Sequence, residues 1–206
     1  MLRNDHRGVR WGHLLRAYRH FFFDSEAGIR HILLAFQNSR WQRRVDAARR
    51  AAAGDLADKP LRIDLETLGA LPADTLGGAY ARHMLAMGLD AEVFQEQGLV
   101  HAPIQQRINV QHDIQHLLLG LGVDEPGEVG VAAYAFAQDR DPLNAFVLSH
   151  LPLLLLNPQW RRPIWRSLWR GRTLGRTTRP VISLPIETLW ATPLGEVRRM
   201  LGLPQL

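Results

Sequence analysis

Apolar residues recur at helical spacing along nearly the whole chain. The pattern is clearest over residues 103–121. There Val110, Ile114, Leu117, Leu118 and Leu121 fill one arc, while Gln105, Asn109, His112, Asp113 and His116 form a polar stripe. Each residue of an α-helix turns roughly 100°, so His112, Asp113 and His116 fall within about 100° of one another. The apolar arc can face a core while the polar stripe stays free for chemistry.

The same periodicity predicts the remaining elements. Helices are expected over residues 11–23, from Ser25 or Glu26 towards Ala53, over 72–89 behind Asp74-Thr75, and over 127–138, 141–156 and 158–171. A last helix follows Thr192-Pro193, a capping pair, and carries Glu196 ahead of Arg198 and Arg199. Residues 54–60 read as a linker, 61–71 as a short apolar segment and 181–186 as a short extended piece. The expected fold is all-α, a single-domain multi-helix bundle over residues 1–206. The chain has no repeats, no low-complexity tract, no Gly-rich phosphate loop and no nucleophile elbow.

Composition narrows the picture. A chain of 206 residues is long enough to bury a core without staples. There is no Cys, which excludes disulfides and thiolate metal sites. The net charge is +5, and Lys59 is the single Lys among 25 basic residues. That Arg and Ala bias matches GC-rich coding better than selection for a polyanion, and no nucleic-acid-binding motif is present. The longest apolar stretch, residues 145–156, holds His150 and Pro152 and is too short to span a membrane. Residues 1–23 are Arg-rich and acid-poor, as transit peptides are, but Ser-poor and interrupted by Asp5. An ordinary amphipathic first helix of a bacterial protein is the expectation.

Two segments carry candidate chemistry. After Leu121 the run Gly122-Val123-Asp124-Glu125-Pro126-Gly127 must turn, with Pro126 in the first turn of a new helix and Asp124 or Glu125 near its cap. Glu128 then opens that helix, and an antiparallel return brings its carboxylate beside the two imidazoles. Two His at i and i+4 with carboxylates make a divalent-metal set with positions left for water or substrate. The alternative is a solvated polar face with a helix-initiating Glu. The second segment, residues 160–170, interleaves Trp160, Trp165 and Trp169 with Arg161, Arg162, Arg166 and Arg170. It suits a membrane interface, where indole and guanidinium sit at headgroup depth. The alternative is a surface helix that packs Trp165 and Trp169 into the core.

The ordered motifs resemble a known family. Residues 107–128 carry His112-Asp113-x-x-His116, eleven residues, then Glu128, with Gly120 behind the His pair and Gly127 ahead of the Glu. This resembles the signature of the fourth coenzyme Q (ubiquinone) biosynthesis protein family. Leu71-Pro72-x-x-Thr75-Leu76-Gly77-x-x-Tyr80, Phe136-Ala137-Gln138 and the segment from Trp190 through Pro193-Leu194 to Arg198 are similar to further family segments. The resemblance covers residues 61–206 as a family core. Residues 1–60, an N-terminal helical region, match less. Gln115 and Leu117 depart from the bulky aromatic and β-branched residues often found there, which affects pocket shape rather than ligand identity.

The resemblance implies an all-α fold and a divalent metal, most often Zn²⁺, at His112, Asp113, His116 and Glu128. Mn²⁺, Fe²⁺ or Mg²⁺ are alternatives. It implies oxidative C1 decarboxylation of a polyprenyl-hydroxymethoxybenzoate to the hydroquinone, hence a lyase, with the same four residues as the catalytic set. One carboxylate can instead stand behind the ligands or accept a proton. Implied partners are the polyprenylated benzoate or quinone precursor, the membrane surface, other ubiquinone-biosynthesis proteins and a second copy in a homodimer, with no nucleic acid. The expected location is the bacterial cytoplasm, peripheral on the inner face of the cytoplasmic membrane, or the mitochondrial inner membrane in a eukaryote. An apolar groove walled by residues 127–138 and 151–156 would hold the prenyl tail. Arg107 lies off the ligand stripe and is expected to tie down its helix. One rival reading is a non-catalytic prenyl-lipid-binding scaffold. Another is a metal phosphohydrolase, which would need His83 or His101 as an upstream ligand.

Overall fold

The computed structural model describes residues 8–88 and 103–206, and among these every regular element is helical. The α-helices are α1 (Trp11–His20), α2 (Ser25–Phe36), α3 (Arg40–Ala53), α4 (Leu65–Gly69), α5 (Leu76–Met87), α6 (Pro103–Leu119), α7 (Glu125–Asp139), α8 (Pro142–Ser149), α9 (Leu151–Leu154), α10 (Pro158–Thr177) and α11 (Leu194–Leu201). Short 3₁₀ turns occupy Gly54–Asp58, Val181–Ser183 and Ile186–Thr188. None of the described helices is long and apolar enough to cross a membrane.

Several boundaries differ from the periodic reading, each for a local reason. The helix expected from residue 25 to residue 53 is two helices. Asn38 adopts a left-handed backbone, which Asn tolerates, and Ser39 caps α3 by accepting from the Gln42 N–H at 3.0 Å. The expected helix over residues 141–156 divides at His150, ahead of Pro152, which has no N–H to continue the ladder. The extended piece over 181–186 is instead two 3₁₀ turns, led by Pro180 and Pro185, with no strand to pair with. The presumed linker at 54–60 is largely a 3₁₀ turn with Ala57 buried. The end of the expected 72–89 helix, Leu89, lies outside the described residues.

α10 runs on through Gly171 because glycine serves close packing there rather than termination. A Cβ on Gly171 would collide with the Gly130 carbonyl oxygen, and one on Gly175 with the Tyr134 carbonyl oxygen. The small residues of α7 therefore seat α10 instead of lining a groove. α10 buries Ile164, Gly171 and Gly175 and leaves Trp165 and Trp169 exposed, so the core-packing alternative for that tryptophan pair fails.

The main core joins α5, α6, α7 and α11 through Leu76, Tyr80, Met84, Ile114, Leu118, Tyr134, Val197 and Leu201. Thr75 caps α5 by accepting from the Gly78 N–H at 3.2 Å. The segment around Thr75 then pairs with the start of α11: Leu76 and Gly77 donate to the Thr192 and Trp190 carbonyls, and Leu194 donates to that of Asp74. The two outlying similarity segments are thus a scaffold clamped behind the α6 helix.

Candidate metal centre

The site is built at the turn between α6 and α7. Gly120 ends α6 in a left-handed conformation, which costs a glycine nothing. Asp124 caps α7, accepting from the Gly127 N–H at 3.1 Å. A side chain at Gly127 would collide with the Gly122 carbonyl, so only glycine lets the turn close this tightly. Glu128 then sits in the first turn of α7, where a carboxylate is favoured by the helix dipole.

This closure brings three predicted residues together. Glu128 Oε2 lies 3.6 Å from His112 Nε2, and Glu128 Oε1 lies 3.3 Å from His116 Nε2. One potential ligand atom from each of the three residues falls within 4.8 Å of the other two. Among the described residues no further His, Asp or Glu joins this group. Asp113, the fourth predicted ligand, is half-buried on the same helix and acts electrostatically on Tyr80 and His83 of α5.

His116 is oriented for ligation. Its Nδ1 stands 2.9 Å from the Gly122 carbonyl oxygen and 3.2 Å from that of Leu121. Carbonyls only accept, so Nδ1 carries a proton, and in the neutral tautomer this leaves the lone pair on Nε2. That Nε2 is buried and makes no hydrogen bond. A lone pair facing a carboxylate oxygen is repulsive unless a cation or a proton lies between them. Two imidazoles and a carboxylate, with both His112 and Glu128 nearly half exposed, fit a divalent metal that keeps an open side. The donor set suits Zn²⁺ best and admits Mn²⁺ or Fe²⁺.

The electrostatics point the same way. Burial opposes ionisation of Glu128, but the two imidazoles hold its carboxyl down at about 2. Desolvation works against charge on His112, yet Glu128 and Asp113 lift its pKa above the ordinary value. Burial pushes the Asp113 carboxyl up, against the pull of the neighbouring histidines. The local field therefore favours positive charge between the two helices.

His83 was named only for the phosphohydrolase reading. Its ring stacks beside His116, with centroids 6.3 Å apart, and it lines an open cavity of about 380 Å³ together with His116, Leu117, Leu121 and Val123. Burial lowers its pKa. The available signal was its spacing: His83 is three residues after Tyr80, on the same face of α5. It does not join the ligand group, and His101 lies outside the described residues. The walls of this cavity come from α5 and the α6–α7 turn, not from residues 127–138 or 151–156. Arg107 stays away from the site, its guanidinium fully buried and bonded to Glu187.

Comparison with known proteins adds an independent line. The sequence profile of the coenzyme Q (ubiquinone) biosynthesis protein Coq4 family matches residues 56–206. The ubiquinone biosynthesis protein COQ4 homolog, mitochondrial, of Danio rerio is 31% identical over 149 residues, covering 69% of this chain and 54% of the relative. The corresponding protein of Eremothecium gossypii is 30% identical over 148 residues, covering 68% of this chain and 45% of its own. The chain thus spans about half the length of the curated relatives it matches. A crystal structure of a protein from Nostoc punctiforme shares the fold, with a TM-score of 0.71 at 22% identity, over 94% of this chain and 97% of that one.

Proposed function

Since this chain belongs to the coenzyme Q (ubiquinone) biosynthesis protein Coq4 family, we propose that it acts in ubiquinone biosynthesis as a metal-dependent decarboxylase. The reaction is oxidative removal of the C1 carboxyl of a polyprenyl-hydroxymethoxybenzoate at a membrane surface: the carboxyl leaves as carbon dioxide, water supplies the hydroxyl of the hydroquinone, and dioxygen takes up the two electrons as hydrogen peroxide. The observation that carries this reading is the convergence of His112, His116 and Glu128 beside a cavity with apolar walls.

A divalent cation bound there would supply a Lewis acid where negative charge develops on the ring or carboxylate. The chain's own groups do the rest. His116 is held rigidly by the two turn carbonyls, so its Nε2 needs no reorganisation to bind. Glu128 stays ionised throughout the working pH range and balances the cation's charge. Asp113, whose charge acts on His83 and Tyr80, serves as a proton acceptor outside the ligand group. Leu117, Leu121 and Val123 give the cavity beside the site an apolar wall against which the substrate ring can pack. Peripheral membrane contact is supported by Trp165 and Trp169, exposed beside Arg161, Arg162, Arg166 and Arg170 on α10.

The test is conversion of a polyprenylated hydroxymethoxybenzoate to its hydroquinone by purified, metal-replete protein in air. Glu128→Gln keeps the size and removes the charge. It should slow turnover at least about tenfold, or roughly 1.4 kcal/mol of barrier. Tail binding should stay nearly intact, because apolar burial holds the tail. The same three ligands bridge two helices, which equally suits a metal that only pins a lipid-binding scaffold. Tight substrate binding by wild type with no product would favour that second reading.

A further inference from the structure

The outer face of α1 is an apolar stripe that the described residues leave largely uncovered. Trp11, Leu15 and Tyr18 follow one another at i, i+4 and i+7 and, at roughly 100° per residue, share an arc of about 60°; Phe22 stands in the turn just beyond, and all four are exposed. The opposite side of the same helix is spent: Ala17 is fully buried, with Leu14 and Phe21 packed around α2 and Phe146 of α8. Phe23, in the turn that follows, is 93% exposed. A monomeric soluble surface seldom gathers this many large apolar groups without an occupant.

The stripe continues into neighbouring elements. The Tyr18 hydroxyl bonds the Ser149 hydroxyl at 2.8 Å, and the Phe22 ring stands edge-on to His150. Beyond His150, Leu153 and Leu156 are again exposed. Arg161, at the start of α10, donates to the Leu155 carbonyl at 2.9 Å, which joins this surface to the Trp165 and Trp169 helix.

Charge selects the occupant. α1 carries no acidic residue, and Arg16 and Arg19 are exposed beside the stripe. The nearby Asp24 is engaged in capping α2 through the Ala27 N–H. A second copy of the chain docked on this stripe would oppose arginine to arginine. An anionic lipid headgroup layer complements the arginines, while Trp and Tyr side chains suit the interfacial depth and the two phenylalanines the acyl boundary.

We propose that α1 and the Phe22-Phe23 turn form the element that enters the membrane, with α10 as the flanking basic rim. This rests on the membrane-surface reading above and specifies which part of the chain penetrates. The test is flotation with vesicles of phosphatidylcholine and phosphatidylglycerol, using the full chain. Phe22→Ala with Phe23→Ala should weaken partitioning about tenfold, from the apolar area withdrawn. Both positions are exposed, and an unchanged circular dichroism melt would establish that the variant is folded. Arg16→Gln with Arg19→Gln should reduce the salt-sensitive part of binding and leave binding at high salt unchanged. If wild type floats and the Phe variant floats equally, the inference is overturned while the membrane reading stands. If wild type stays with the lipid-free fraction, the membrane reading falls and this inference with it. A wild-type dimer in lipid-free buffer that the Phe variant converts to monomer would assign the stripe to a second copy instead.

Discussion

Arg107 and Glu187 form a two-pronged ion pair at the heart of the fold, with Nη1 and Nη2 donating to the two carboxylate oxygens at 3.0 and 3.1 Å. The guanidinium is fully buried on α6, while Glu187 comes from the second 3₁₀ turn before α11 and remains one-third exposed. The pair fixes the helix that carries His112 and His116.

Glu187→Gln should therefore be costly. It leaves a buried guanidinium without its counter-charge, a loss on the order of 3 kcal/mol. Chemical denaturation of wild type and variant would measure it. The pH dependence has a definite sign. Burial raises the Glu187 pKa, but the Arg107 guanidinium outweighs this and holds the carboxyl below its ordinary range. The resulting stabilisation is present above the unfolded value near 4.5 and is lost as pH falls through the folded one. The difference between wild type and variant should narrow in acid, and a constant difference would contradict the assignment.

Gly171→Ala should destabilise the chain by about 1–3 kcal/mol, the usual range for overpacking. The new methyl group would meet the Gly130 carbonyl, which is backbone and cannot swing away. Gly54→Ala probes a different mechanism, since Gly54 has open space around its Cβ position and a positive φ. It should cost about 1–3 kcal/mol through backbone strain alone, because φ 55° with ψ −132° is a conformation essentially reserved for glycine. Urea unfolding of both variants compares collision with conformation.

Purified protein should carry about one divalent metal per chain. His116→Ala should lose it and remain folded, because the core-facing arc of α6 is untouched. Asp113→Asn should keep it while slowing turnover, since Asp113 does not join the His112, His116 and Glu128 group. Elemental analysis of untagged variants decides this. Metal loss in Asp113→Asn would return that residue to the ligand set, and metal retained in His116→Ala would dismiss the site.

Trp165→Ala with Trp169→Ala should weaken binding to anionic vesicles without unfolding the protein, because both side chains are exposed on α10. Vesicle flotation at low and high salt measures the effect. Unchanged flotation by the folded variant would remove α10 from the membrane surface.

Much of the fold was legible along the chain. Helical period and capping chemistry are local, so α1, α5, α6, α7 and α11 were predicted to within a few residues at most ends. The His112 and His116 pair on α6 and the Asp124-Pro126-Glu128 start of α7 were readable for the same reason: i, i+4 spacing and an N-cap are set by residues in sequence contact. The helix breaks at 37–39 and at His150 were less visible, because the apolar period runs straight across both. Where Gly171 falls in its helix depended on a partner helix that no local pattern names.

What the sequence alone determined is which residues are candidate donors, the helical face shared by His112, Asp113 and His116, and the all-α class, since each follows from residue type and a period of 3.6. What only the tertiary structure decided is which of those donors meet. Closure of the Gly120–Gly127 turn against backbone brings Glu128 onto His112 and His116, and the Gly122 carbonyl fixes the His116 tautomer. The same packing leaves Asp113 outside that group and exposes the aromatic stripe of α1. A helix determines its own faces, but which face is covered depends on neighbours far away in the chain.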